Sequence, residues 1–155
     1  MNPKKRGWSG VISAALCSLM FVVSLCLPAL WLAREPAADP TGNYVGAALL
    51  MLGWIEALGG STSGLAWLAN PCFGLGILCL LFRRFGWAVV IFTVGFGLTC
   101  ASFGIRTVVI DEGGSTNFVV GFGPGFWLWH LSYLVGVLAS FLLWMTSLSQ
   151  TKTSS

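Results

Sequence analysis

The chain has 155 residues and a mass of 16.5 kDa, a length suited to one domain and too short for two. Hydrophobic residues make up 56% and charged residues only 8%, where a typical soluble domain carries about 25% charged residues. Eight basic and five acidic side chains cannot cover a globular surface, which excludes a soluble enzyme, a nucleic-acid binder and a disordered tail. The formal charge of +3 is small and scattered, so it points to no polyanionic partner. With mean hydropathy at +0.85, the composition predicts an integral membrane protein whose main partner is the lipid bilayer.

A helix needs about 20 mostly apolar residues to cross the hydrocarbon layer. The first uncharged run, Trp8 to Leu32, follows Lys4, Lys5 and Arg6. The second, Leu65 to Phe82, is closed by Arg83 and Arg84, and the third, Phe85 to Ile105, by Arg106. The fourth runs from Phe126 to Leu148, contains His130, and precedes the polar tail 149–155. The expectation is an all-α, four-span bundle over residues 1–148.

Tyr44 to Leu58 is apolar too, but spans only about 22 Å at 1.5 Å per residue. Charge decides its place. With four spans and both termini cytoplasmic, the inner side holds Lys4, Lys5, Arg6, Arg83, Arg84 and Lys152, leaving only Arg34 and Arg106 outside. That asymmetry satisfies the positive-inside rule, and a fifth span would spoil it. Glu35, Asp39, Glu56, Asp111 and Glu112 then all lie outside. Tyr44 to Leu58 is expected to be an interfacial or shallow re-entrant helix in the first outer loop. The location that follows is the cell inner (plasma) membrane.

The first apolar run is longer than a signal-peptide core of roughly 7–15 residues, so an uncleaved first helix is expected. Leu16 and Leu25, before Cys17 and Cys26, are too large for a lipid-attachment site. The outer loops, Ala33 to Gly64 and Arg106 to Gly125, carry a short echo: Gly59-Gly60-Ser61-Thr62 and Gly113-Gly114-Ser115-Thr116. Two readings stand, a parallel repeat of two hairpins or ordinary helix-capping chemistry.

The chemistry-bearing residues are few. Cys17, Cys26, Cys72, Cys79 and Cys100 form no Cys-x-x-Cys pair and read as small apolar packing residues; one disulfide among Cys26, Cys72 and Cys100 stays open. A single His with no acid at helical spacing makes no metal motif, and neither a nucleophile elbow nor a phosphate loop is present. No cofactor is expected, and no catalysis. A candidate polar cluster remains near the outer face: Asn70, His130, Arg106 and Glu56. It reads either as a proton or substrate site, or as a hydrogen-bonded cluster fixing loops to bundle.

Asn70-Pro71 predicts a kink in the second span. Small-residue stripes, Gly10/Ala14/Ser18, Gly97/Ala101 and Ser132/Gly136/Ser140, predict close helix approach inside the bundle or against a second copy. Trp8, Trp31, Trp67, Trp87, Trp127 and Trp144 sit where an aromatic belt would.

The segments Leu52-Gly53-Trp54, Gly64-Leu65-Ala66-Trp67-Leu68-Ala69-Asn70-Pro71 and Gly125-Phe126-Trp127-Leu128-Trp129 resemble those of small bacterial four-helix inner-membrane proteins. That resemblance implies the fold and brings no activity and no site residues. The outline is also similar to claudin-like tetraspan proteins, but no cysteine pair follows Gly53-Trp54, so nothing is carried over. The expected role is non-enzymatic: contact with another membrane protein, or self-association, through outer loops and helix faces. The alternative is a small transporter or ligand-binding membrane protein with a polar site near the outer face.

Overall fold

The computed structural model describes residues 3–36, 38–58, 62–109 and 116–151. Among these residues six helices and four strands follow one another: α1 (Pro3–Cys26), β1 (Pro28–Ala33), β2 (Gly42–Val45), α2 (Gly46–Leu58), α3 (Thr62–Trp67), α4 (Ala69–Leu81) and α5 (Phe85–Cys100). A 3₁₀ turn (Ala101–Gly104), β3 (Thr107–Val109), β4 (Thr116–Phe122) and α6 (Pro124–Thr151) complete the chain. Among the described residues four segments are long and apolar enough to cross a membrane: Trp8–Cys26, Ser63–Leu81, Phe85–Gly104 and Pro124–Ser149. The short apolar helix α2 is not among them.

The all-α expectation is corrected, because the two long loops meet in a four-stranded antiparallel sheet of order β2-β1-β4-β3. β1 lies between Asn43–Tyr44 of β2 and Gly121–Phe122 of β4, with Trp31 opposite both Asn43 and Gly121. The first span therefore stops at Cys26 rather than Leu32. Pro28 is the reason: it disfavours helical backbone at Leu27, and Leu27 closes the helix by donating to the Ser24 carbonyl. Leu30, Leu32 and Ala33 are buried although they belong to a strand. An apolar run buried on both faces does not alternate, so its period cannot separate strand from span.

The other span ends also shift. The second segment breaks at Leu68 between α3 and α4, so that Pro71 falls in the first turn of α4, where a missing N–H costs nothing. The predicted kink is thus realised as a break. The third helix ends at Cys100 and tightens into the 3₁₀ turn, while α6 starts at Pro124, an ordinary first-turn proline.

The long helices form a closed ring in which α1 packs on α4 and α6, and α5 on α4 and α6. Their shared core contains Cys17, Phe73, Leu80, Phe92 and Tyr133. Phe73 stacks on Phe21 at 4.4 Å and meets Tyr133 edge-on at 5.2 Å. Phe92, fully buried, is clamped between two glycines: a Cβ at Gly76 would lie 2.8 Å from its ring and one at Gly136 2.7 Å away. Ser132, Gly136 and Ser140 are all buried, so this stripe faces into the bundle. The α5 stripe does not, since Gly97 is exposed with open space beside it; Gly95, under the Tyr133 ring, takes that packing role.

Each end of the ring is built differently. At one end, α4 and α5 join through Phe82-Arg83-Arg84 with Arg83 at φ 61°, and the Arg83 and Arg84 N–H groups donate to Leu80 and Cys79. This is a Schellman closure with arginine in the position glycine normally takes. Gly10 of α1 approaches Leu80 and Phe85 there, and Gly86 approaches Trp144 of α6, so the beginning of α1 and the later part of α6 share this arginine end. At the opposite end sits the sheet over its own core of Ala29, Leu30, Leu32, Val108 and Phe126. The start of α6 is wedged into the α1–β1 corner: a Cβ at Gly125 would lie 2.7 Å from the Leu27 carbonyl oxygen and 2.8 Å from that of Ser24. The strand order also bears on the Gly-Gly-Ser-Thr echo. Two repeated halves would pair like strands centrally, whereas the central pair joins the first strand of one half to the second of the other. Residues 59–61 and 113–115 of the echo lie outside the described residues.

Candidate functional site

A cavity of about 100 Å³ lies where the sheet, α2, the α3–α4 break and the start of α6 converge. Its walls are chiefly apolar and include Leu30, Leu49, Trp67, Phe126 and Trp129. The tryptophans turn their polar edges into the protein. Trp67 Nε1 donates to the Leu50 carbonyl at 2.8 Å, holding α2 against α3, and Trp129 Nε1 donates to Asn70 Oδ1 at 3.2 Å, holding α6 to α4. Gly53 lets α2 lie on the Trp67 ring, since a Cβ there would meet Trp67 Cδ1 at 2.5 Å. Asn70 belongs to the lining, and the α3–α4 break leaves it in the first turn of α4.

Next to this cavity α5 and α6 are joined by His130, which is buried. Nδ1 lies 2.9 Å from the Phe126 carbonyl one turn back on α6, and Nε2 lies 3.2 Å from the Thr99 carbonyl near the end of α5. The rings of Phe126, Trp129 and Phe103 surround the imidazole at centroid distances of 4.3, 5.1 and 5.2 Å. Buried hydroxyls nearby are satisfied locally: Ser102 donates to the Thr99 carbonyl and Thr99 to that of Phe96. This local back-bonding is how a helix meets its polar side chains when no water is at hand.

The members of the expected cluster, Asn70, His130, Arg106 and Glu56, take separate partners where the structure describes them. Asn70 pairs with Trp129 and His130 with two backbone carbonyls, so the two polar groups are linked only through Trp129. Arg106 is exposed just after the 3₁₀ turn, where its carbonyl accepts from Val119. Glu56 falls on α2, with its side chain outside the described residues, as are Asp111 and Glu112. Three partners escaped the sequence reading: Trp129, Thr99 and Phe103. For Trp129 the signal was present, since it stands beside His130, but indoles in such a run read first as membrane anchors. Thr99 acts through its backbone, which no side-chain pattern reports.

All five cysteines are free: Cys17 is buried in the bundle core, Cys72 and Cys79 are half-buried, and Cys26 and Cys100 are exposed. Among the described residues no group of three His, Cys, Asp or Glu side chains comes together to hold a metal ion. Chemically, the cavity can hold a small apolar body against aromatic faces, with the Asn70 carboxamide as its polar contact. No family model, curated protein or solved structure matches this chain.

Proposed function

We propose that the chain is a four-span protein of the cell inner membrane, with both termini cytoplasmic, and that it binds a small, mainly apolar molecule rather than transforming one. The membrane assignment is supported by helices that are apolar around their whole circumference, the pattern of a lipid-exposed span. Ile12, Leu19 and Val22 on α1, Val90 and Val94 on α5, and Leu138 and Leu142 on α6 all face outward. The orientation is supported by Arg83 and Arg84 sharing one end with the first turns of α1, which carry Lys4, Lys5 and Arg6.

The binding reading rests on one observation, the aromatic-walled cavity beneath the sheet. A chiefly apolar cavity of this order can accept a small hydrocarbon. The test is the protein in nanodiscs with benzene as the probe, followed by the thermal midpoint. Benzene should raise the midpoint of the natural protein and leave that of Ala66→Leu, which fills the cavity, unchanged. Equal shifts in both proteins would sink the reading.

A second reading, contact with another membrane protein or a second copy, is favoured by β2. This edge strand leaves Gly42, Asn43 and Val45 exposed and has no neighbour on its far side among the described residues. Cysteine placed at Asn43 should then give a discrete cross-linked species in native membranes. Only monomer would count against it.

A further inference from the structure

The arginine end carries a surface feature that the helix packing does not use. The α4–α5 turn, the start of α5 and the later part of α6 border a groove of about 330 Å³, whose lining includes Arg83, Arg84, Trp87, Trp144 and Ser147. Both arginines and both tryptophans are exposed. Trp144 turns its donor edge toward the start of α5, for Nε1 is the atom nearest to a Cβ built on Gly86, at 3.4 Å. An indole N–H thus stands in the groove wall with the two guanidinium groups.

The fold supplies no counter-charge at this end. All five acidic residues, Glu35, Asp39, Glu56, Asp111 and Glu112, fall outside α1, α4, α5, α6 and the arginine turn. The first turns of α1 add Lys4, Lys5 and Arg6 to the same end. Orientation in a membrane explains positive charge here, but it does not require that charge at any one backbone position. Arg83 stands at φ 61°, where glycine is the low-cost residue, and a side chain kept on strained backbone points to a use for that side chain.

We propose that this groove is a binding site for the phosphodiester headgroup of an anionic phospholipid. Guanidinium groups match phosphate oxygens in fork geometry, and basic pockets between spans at the cytoplasmic surface suit such headgroups. A lipid is favoured over a soluble phosphate because the groove lies at the ends of two apolar spans. Phe82 and Trp87, both well exposed, offer apolar surface beside it for the first part of an acyl chain. The proposal rests on the membrane reading, which fails by itself if the chain is recovered in the soluble fraction of lysed cells. It is independent of the cavity beneath the sheet, which lies at the other end of the ring.

The test is native mass spectrometry of the full chain in a non-ionic detergent, titrated with phosphatidylglycerol or with phosphatidylcholine of the same acyl chains. The first phosphatidylglycerol should bind about 10-fold more tightly than the first phosphatidylcholine. Arg83→Gln/Arg84→Gln should bind the two lipids alike, and inorganic phosphate should not displace phosphatidylglycerol from the natural protein. Equal binding of the two lipids by the natural protein would overturn the proposal, and that comparison needs no variant. Full preference retained in the double variant would move the anion site elsewhere, and displacement by inorganic phosphate would make the ligand a soluble anion; either result overturns it. Should the double variant fail to fold, Ser147→Glu leaves both arginines in place and sets a carboxylate in the groove lining. It should abolish the preference, and an undiminished preference would overturn the proposal equally.

Discussion

The two ends of this molecule solve opposite problems. From the arginine end to mid-bundle, helices approach over glycine and serine, with Phe92 filling the space between Gly76 and Gly136. At the sheet end the helices give way to strands from both long loops, over a separate core built around Leu30, Leu32 and Phe126. The first region is close-packed inside and opens only in a surface groove of about 330 Å³ beside Arg83, Arg84 and Trp144, whereas the second leaves an apolar cavity of about 100 Å³ between sheet and helices. Tight packing specifies the ring of helices, while function is free to concentrate where strands and helix ends meet and backbone carbonyls are left for side chains to use.

The sharpest break of that contrast is at Phe92. Phe92→Ala empties the clamp and should destabilise the protein by about 3–5 kcal/mol, read as unfolding in detergent. Gly136→Ala inserts a methyl against the same ring and should cost about 2–3 kcal/mol. Because both act on one contact, Phe92→Leu should offset part of the Gly136→Ala loss. Simple additivity of those two changes would mean the clamp is not the shared element.

A change at Gly125 tests whether the two cores are separate units. Three carbonyl oxygens, of Leu27, Ser24 and Pro28, lie 2.7–3.0 Å from where its Cβ would be, and backbone cannot swing aside. Gly125→Ala should raise amide exchange in β1 and β4 about 10-fold, equivalent to about 1.4 kcal/mol, while α4 and α5 keep their protection. A uniform rise through the bundle would show one cooperative unit instead.

The same contrast governs what could be read ahead of the structure. Bundle features were legible because they rest on length, charge and small-residue spacing: the four long helices, the Arg83-Arg84 turn and the Ser132/Gly136/Ser140 stripe. Where the phase of a stripe mattered, spacing alone was weaker, since Gly97/Ala101 and Gly95 differ by only half a turn and α5 is apolar on every side. The sheet was illegible for a different reason. Leu30-Trp31-Leu32-Ala33 carries no alternation, and its partners lie far along the chain at Tyr44 and Phe122. Asn70 and His130 stand out in the sequence as polar residues within apolar runs, but their partners, an indole and two backbone carbonyls, do not.

At the arginine end itself, Arg83 occupies left-handed backbone that costs a non-glycine residue roughly 1 kcal/mol. Arg83→Gly should therefore stabilise the α4–α5 turn by about 1 kcal/mol, read in the same unfolding measurement. The residue's charge gives the change a second readout. If arginine is kept there for orientation, reporter fusions at the turn should show a mixed topology once Arg84→Gly is added, although the protein is no less stable.

The smallest effect is expected at Tyr133, which is fully buried and whose hydroxyl makes no hydrogen bond of good geometry among the described residues, its one polar neighbour there being the Trp129 indole that already donates to Asn70. Its ring does the packing, against Gly95 and edge-on to Phe73. An unsatisfied buried hydroxyl carries its desolvation cost with no return, so Tyr133→Phe should leave stability unchanged or raise it by about 0.5–1 kcal/mol. A loss above about 1 kcal/mol would reveal a partner for the hydroxyl, the kind of ordered water that a roomier polar site can hold. The dry, tightly packed character of the bundle would then extend no further than Phe92, and the boundary between the two regions would have to be drawn below Tyr133 instead of at the sheet.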